Sequence, residues 1–299
     1  NENVLAAETL NGQIVQPEGT DDYYVLTGDQ DGRVMRVRGL NSVQRLAGGS
    51  VTLTEEDHQR AADALREYER QRARAESFTI VRGRNTLEDH DGITKKLDRR
   101  HGFNVRAAYD NENLYLQYDV TAPHELANTV SDPKLLFTGG NLIDLQLATD
   151  PQADPDRDTP APGDVRLLIG RDGEGAPLAV RYRPNVEDFD GEPTTFRSPQ
   201  DTESFDAIDE VSDRIALEYE PNDVGFTATA TIPLDVLGWQ PTPASTVKLD
   251  VGYIFGNDRG SNATRRAYWS NNSFHANVVD DVPDESRLDP HEWGTATVE

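Results

Sequence analysis

From Phe78 onward, apolar and polar residues alternate with a period of two in short runs, and Gly, Pro, Asp and Asn break the runs apart. That is the signature of strands with one face turned to a core. The runs predict strands at residues 105–109, 114–120, 142–148, 164–169, 179–182, 215–219, 226–232 and 247–255. The turn formers Asp110, Asn111, Glu112 and Asn113 join the first two into a hairpin. One short helical turn is expected at 233–237, and no β-α-β rhythm is present. The expected fold is mostly β: an antiparallel β-sandwich of immunoglobulin-like or jelly-roll-like type.

The first 77 residues read differently. Residues 23–28, the turn 29–32, the alternating run 33–39 and residues 51–53 suggest a few short strands, too few for a core of their own. Thr54 then opens one long helix. Thr54 and Asp57 read as a capping box, and Glu55, Glu56 and Asp57 load the first turn with negative charge. Ala61, Leu65 and Tyr68 form a thin apolar stripe, and Arg70, Arg72 and Arg74 suit the negative end of the dipole. A stripe this thin predicts an N-terminal surface helix. The expected organisation is a short β segment over 1–53, of the kind a remnant of an upstream domain would leave, a helix and linker over 54–77, and a sandwich over 78–299.

Charge narrows the partners. With 29 Lys and Arg against 54 Asp and Glu, the chain carries −25. Such a chain repels nucleic acid and anionic membranes. It has no cysteine, which removes disulfides and thiolate metal sites. No apolar run reaches the ~18 residues of a membrane span. A start at Asn1 instead of Met suggests a processed chain, and the whole profile fits an exported, acidic protein.

Several segments together resemble carbohydrate-binding module family 9-like domains, which share a sandwich with haem-binding domains of the DOMON type. They are 108–115 (AYDNENLY), 140–147 (GNLIDLQL), 231–238 (TIPLDVLG) and the terminal Trp293-Gly294. The match spans roughly residues 78–299. Its particular form, with 164–168 (DVRLL) and 268–271 (YWSN), is similar to modules of large exported proteins from planctomycete-type bacteria. The resemblance implies sugar binding without catalysis, an extracellular or cell-surface location and structural calcium.

Sugars offer C–H faces to aromatic rings and hydroxyls to amides and carboxylates. The candidates for stacking are Trp269, Trp239 and Trp293, with Tyr268 and Asn271 as polar partners; Trp269 leads because its neighbours are polar. Packing in the core is the competing role for each tryptophan. Asp150, Asp154, Asp156, Asp158 and Asp164 supply hard oxygens for calcium, although the spacing is not that of an EF-hand, and a solvated acidic loop is the competing role. Haem would need axial ligands, and only Met35, outside the sandwich, and scattered His124, His275 and His291 could serve. No hydrolase motif is present, and 54 acids make carboxylate pairs uninformative. The expectation is therefore a non-catalytic module that recognises an extracellular polysaccharide. The alternatives are a self-associating subunit of a cell surface or extracellular fibre and, third, a haem electron-transfer domain.

Overall fold

A computed structural model describes residues 77–272 and 281–299, together with the backbone of three N-terminal strands. Those strands, β1 (Gln13–Val15), β2 (Tyr23–Leu26) and β3 (Val34–Val37), form an antiparallel sheet in a unit spanning Asn1–Ala75. The strand expected at 51–53 lies outside the described residues. So does all of the helix expected over 54–77 except its last position.

The second unit, Glu76–Glu299, has fifteen strands among the described residues, including those at the eight predicted positions. In chain order they are β4 (Thr79–Arg82), β5 (Ile93–Lys96), β6 (Gly102–Tyr109), β7 (Asn113–Thr121), β8 (Leu142–Ala148), β9 (Asp164–Arg171) and β10 (Pro177–Arg183). Then come β11 (Thr194–Arg197), β12 (Thr202–Phe205), β13 (Ala207–Glu210), β14 (Ala216–Asn222), β15 (Gly225–Pro233), β16 (Ser245–Gly256), β17 (Ala263–Tyr268) and β18 (Gly294–Val298). Among the described residues two short α-helices, α1 (Leu234–Leu237) and α2 (Val282–Ser286), accompany the strands.

Among the described residues one curled sheet runs β13-β10-β9-β8-β16-β18-β4-β6-β7-β15-β14. Two strands serve two partners each along one edge. β16 pairs with β18 over 245–249 and with β17 over 252–256. β6 pairs with β5 over 102–105 and with β4 over 107–109. The sheet thereby divides into two halves that share a core, with β18 and β4 as the seam. Phe226 of one half meets Tyr253 of the other at 6.1 Å between ring centroids.

The mostly β, sandwich-like fold is as expected, and the seam adds parallel pairing to its antiparallel strands: β4 runs parallel to both β18 and β6. The first and last strands of the unit meet there. Thr297 donates to the Phe78 carbonyl and Glu299 to that of Ile80.

On β8 every residue is buried, because both faces are covered. Ile143, Leu145 and Leu147 enter the core between the halves. Leu142 and Ala148 face a second apolar cluster with Leu168, Tyr182, Phe205 and Trp293. The cover of that outer face comes from the β11–β12 hairpin, a 3-10 turn at Pro133–Thr138, α2 and the chain through Trp293. Its rings pack edge-on, Phe137 with Tyr182 at 5.9 Å and Tyr182 with Phe205 at 5.7 Å.

Charges are also sealed under the cover. Arg166 on β9 binds Asp144 on β8 through Nη2 to Oδ2 at 2.6 Å and Nε to Oδ1 at 3.1 Å. Its Nη1 donates to the carbonyls of Glu285 and Ser286 at 2.8 and 3.1 Å. Arg266 on β17 reaches Glu285 Oε2 at 2.7 Å and the Phe137 carbonyl at 2.7 Å. Burial works against the Arg166 charge, but Asp144 outweighs it and holds the guanidinium more firmly protonated than usual.

A buried charge stripped of its partner is costly. Asp144→Ala leaves Arg166 unpaired and is expected to cost about 3–5 kcal/mol in urea unfolding. Replacing the pair together, Asp144→Leu with Arg166→Met, should cost clearly less than Asp144→Ala alone.

Candidate functional site

The structure seals the tryptophans singled out in the sequence. Trp269 follows β17 and is 6% exposed, Trp293 precedes β18 and is 1% exposed, and Trp239 is 6% exposed. Tyr268 and Asn271 are buried as well. Trp269 packs on Phe78 at 5.3 Å, and its ring lies so close to Gly294 that a Cβ there would stand 2.5 Å from it. Tyr268 lies against Gly252 of β16, where a Cβ would come within 2.2 Å of the ring. Its hydroxyl donates to Asp144 Oδ2 at 2.7 Å. Trp293 donates Nε1–H to Gln146 at 2.9 Å. The open stacking face expected at Trp269 is therefore a packed one, with two glycines admitting the rings.

Asn271 is fixed through its backbone. Asp250 on β16, fully buried, accepts the Ser270 and Val251 amides on Oδ1 at 3.0 and 2.9 Å and the Asn271 amide on Oδ2 at 2.7 Å. Lys95 of β5 reaches the Asn272 side-chain carbonyl at 2.7 Å. Burial pushes the Asp250 carboxyl up from its ordinary 3.8 to about 7, against the three amides and the Lys95 charge. Burial also lowers Lys95.

The five acids expected to hold calcium are not gathered, and among the described residues no group of three or more His, Asp or Glu is placed to hold a metal ion. Asp164 is buried at the start of β9. It pairs with Arg157, whose Nε stands 3.1 Å from Oδ2, and accepts the Ala161 amide at 2.8 Å. Asp150 accepts the amide of Gln152 at 2.8 Å, and Asp154 that of Asp156 at 3.0 Å. Asp158 faces His291 at 3.6 Å. Asp150, Asp154 and Asp164 serve their own loop, which is turn chemistry and does not fit a shell of six to eight oxygens. Of the haem candidates, Met35 belongs to the separate N-terminal unit, His275 lies outside the described residues, and His124 and His291 lie apart in the sequence on different loops.

Only Trp239 reaches a groove. α1 ends at Gly238 in the left-handed conformation, φ 69°, which turns the chain and delivers Trp239 beside Tyr109, 6.4 Å between ring centroids. Around them Arg82, Asp110, Asn111, Glu112, Asp235 and Gln240 line an open groove of ≈ 810 Å³. The β6–β7 turn forms one wall. Asp110 shapes it by accepting the Glu112 and Asn113 amides at 2.8 Å each and the Tyr115 hydroxyl at 2.7 Å. Burial pushes the Asp110 carboxyl up, but these donors outweigh it and hold it below the usual range. Asn111, Glu112 and Gln240 are exposed. Arg82 touches Asn111 Oδ1 at 3.4 Å. The sequence marks 110–113 as a turn, and nothing local joins that turn to Gln240, so far away along the chain.

No family model and no curated protein sequence matches the chain. In fold it is similar to two solved carbohydrate-binding module structures. One is a family 9 carbohydrate-binding module from Caldicellulosiruptor kristjanssonii in complex with glucose. It is 13% identical with a TM-score of 0.42, over 75% of this chain and 96% of that one. The same module in complex with cellotriose gives 13% identity and a TM-score of 0.42, over 75% of this chain and 94% of the other. At that level of similarity, any ligand for this chain has to be argued from its own residues.

Asp250 carries a stability prediction. Between pH 4 and 7 the folded protein holds a proton on Asp250 that the unfolded chain has released. Its contribution is therefore complete at the acid end and is lost as pH rises through about 7. Asp250→Asn should flatten the pH dependence of the unfolding midpoint between pH 4 and 7 relative to the parent chain. An unchanged slope would assign that dependence to other groups.

Proposed function

We propose that the module binds a polysaccharide without chemical conversion, in the groove between the β6–β7 turn and the segment after α1. The observation that carries this reading is the groove's make-up. Trp239 and Tyr109 stand at its base, and Asn111, Glu112, Gln240 and Arg82 surround them with amide, carboxylate and guanidinium groups. Amides and carboxylates are the groups that bind sugar hydroxyls, and an open trough suits a chain better than a small enclosed molecule.

The buried ionisable groups favour a non-catalytic role. Asp144, Asp250 and Glu285 all lie beneath packed layers with structural partners, where no substrate reaches them. Among the described residues no helix is long and apolar enough to cross a membrane. An exported or cell-surface module acting on an external glycan accords with the acidic surface.

The test is native affinity electrophoresis of the full chain in gels cast with neutral β-glucans and xylans. Retardation is expected in at least one of them. Asn111→Ala combined with Gln240→Ala removes two exposed hydrogen-bonding groups, and should weaken it about tenfold without moving the thermal midpoint. The groove loses its role if no polysaccharide retards the protein, or if the double variant runs as the parent does.

A further inference from the structure

A second groove lies at the other end of the same strands. β6 runs from Gly102 toward the first groove at its C-terminal turn, so the turn that precedes it, between β5 and β6, opens at the far end, about 25 Å away. There Arg99 and Arg100 face Tyr219, Asn222 and the stretch Thr121–Glu125 across an open groove of ≈ 510 Å³.

The turn is built so that both arginines project. Asp98 Oδ1 accepts the Arg100 amide at 2.7 Å and the His101 amide at 3.0 Å, and Asp98 Oδ2 takes the Arg265 guanidinium at 2.8 Å. The Arg100 amide, with His101 and Arg265, holds the Asp98 carboxyl below the usual carboxylate range. The one carboxylate of the turn is thus consumed by backbone and by Arg265. Arg99 and Arg100 are exposed, and among the described residues neither guanidinium has an ion pair or side-chain hydrogen bond.

What sets Arg99 and Arg100 apart is that they are adjacent and line one groove. Some exposed and half-buried arginines elsewhere end on carboxylates, Arg84 on Glu218, Arg106 on Asp119 and Arg214 on Asp235, whereas the exposed Arg82 reaches only Asn111 among the described residues. Two adjacent free guanidinium groups present planar forks suited to carboxylates. The facing wall adds Glu125 and Asp223, which balance the two cations and accept hydroxyl donors. Pro123, Pro221 and Val224, the last 65% exposed, offer apolar surface to sugar C–H faces.

We propose that this groove binds a polysaccharide of uronic acid residues. Arg99 and Arg100 take the sugar carboxylates, and Glu125 and Asp223 take hydroxyls. One negative charge per sugar fits a wall of two cations opposite two acids, whereas a polymer with several sulfates per sugar meets Glu125 and Asp223 as repulsion. The proposal extends the glycan reading to a second site but uses none of the residues of the first groove.

The experiment is affinity electrophoresis of the full chain in polygalacturonate, dextran sulfate and neutral β-glucan gels. The parent should be retarded by polygalacturonate, and less so as salt rises. Arg99→Ala with Arg100→Ala should weaken that retention about tenfold at an unchanged thermal midpoint. Arg99→Lys with Arg100→Lys should fall between, because lysine keeps the charge and loses the fork. The Asn111→Ala and Gln240→Ala double variant should match the parent in this gel. Absence of retardation by polygalacturonate, or equal retention of the alanine variant, overturns the proposal. Equal or stronger retardation by dextran sulfate overturns it too, by reducing the effect to general attraction of polyanions. Results in the neutral gel bear on the first groove alone, so the two readings fail separately.

Discussion

The buried pair of Asp144 and Arg166 is the constraint around which the sandwich is arranged. It joins adjacent strands β8 and β9 on the face away from the main core, and the remaining Arg166 nitrogen grips two carbonyls of α2. A guanidinium there must be paired and fully hydrogen-bonded, since an unmatched charge in such a place costs several kcal/mol. That requirement draws in the rest: Tyr268 completes the Asp144 shell, Arg266 holds Glu285, and Gln146 receives Trp293. The outer face of the sheet becomes a second interior. Residues that look polar and available along the chain are structural there.

This explains where binding surfaces can be. A sandwich that covers its outer face with α2 and the β11–β12 hairpin leaves the strand ends and their turns as accessible relief. Both grooves sit at such ends, at opposite ends of β6, β7 and β15. In each, an aspartate fixes the turn by accepting amides, Asp110 in one and Asp98 in the other, so that neighbouring side chains face outward. Turns locked by their own carboxylates are rigid platforms for polar recognition, at small entropic cost on binding.

Much of the fold was legible in the sequence because strand alternation is a local property. The run at 142–148 matches β8, and the helical turn at 233–237 matches α1 to within a residue. The short strands β5, β11, β12 and β13 escaped because few apolar residues mark them. The site was far less legible. Trp269 beside Tyr268, Ser270 and Asn271 reads as an exposed aromatic among hydrogen-bonding groups, yet its polar neighbours point at Asp250, Asp144 and backbone carbonyls inside the protein. The acids at 150–164 read as metal ligands, yet Arg157, present in the same stretch, takes Asp164. Gly252 and Gly294 were the missed signals: a glycine in or beside a strand marks close approach, here of Tyr268 and Trp269.

By itself the sequence determined the strands, their turns, the apolar core and a charge of −25. Those follow from periodicity and composition, which act over a few residues or over the whole chain. Only the tertiary structure decided which polar groups are spent on one another and which remain for a ligand. Pairings such as Asp144 with Tyr268, or the shared groove of Asn111 and Gln240, bring together residues more than a hundred positions apart. Burial and hydrogen bonding across such separations depend on how the sheet curls, and no local pattern along the chain encodes that.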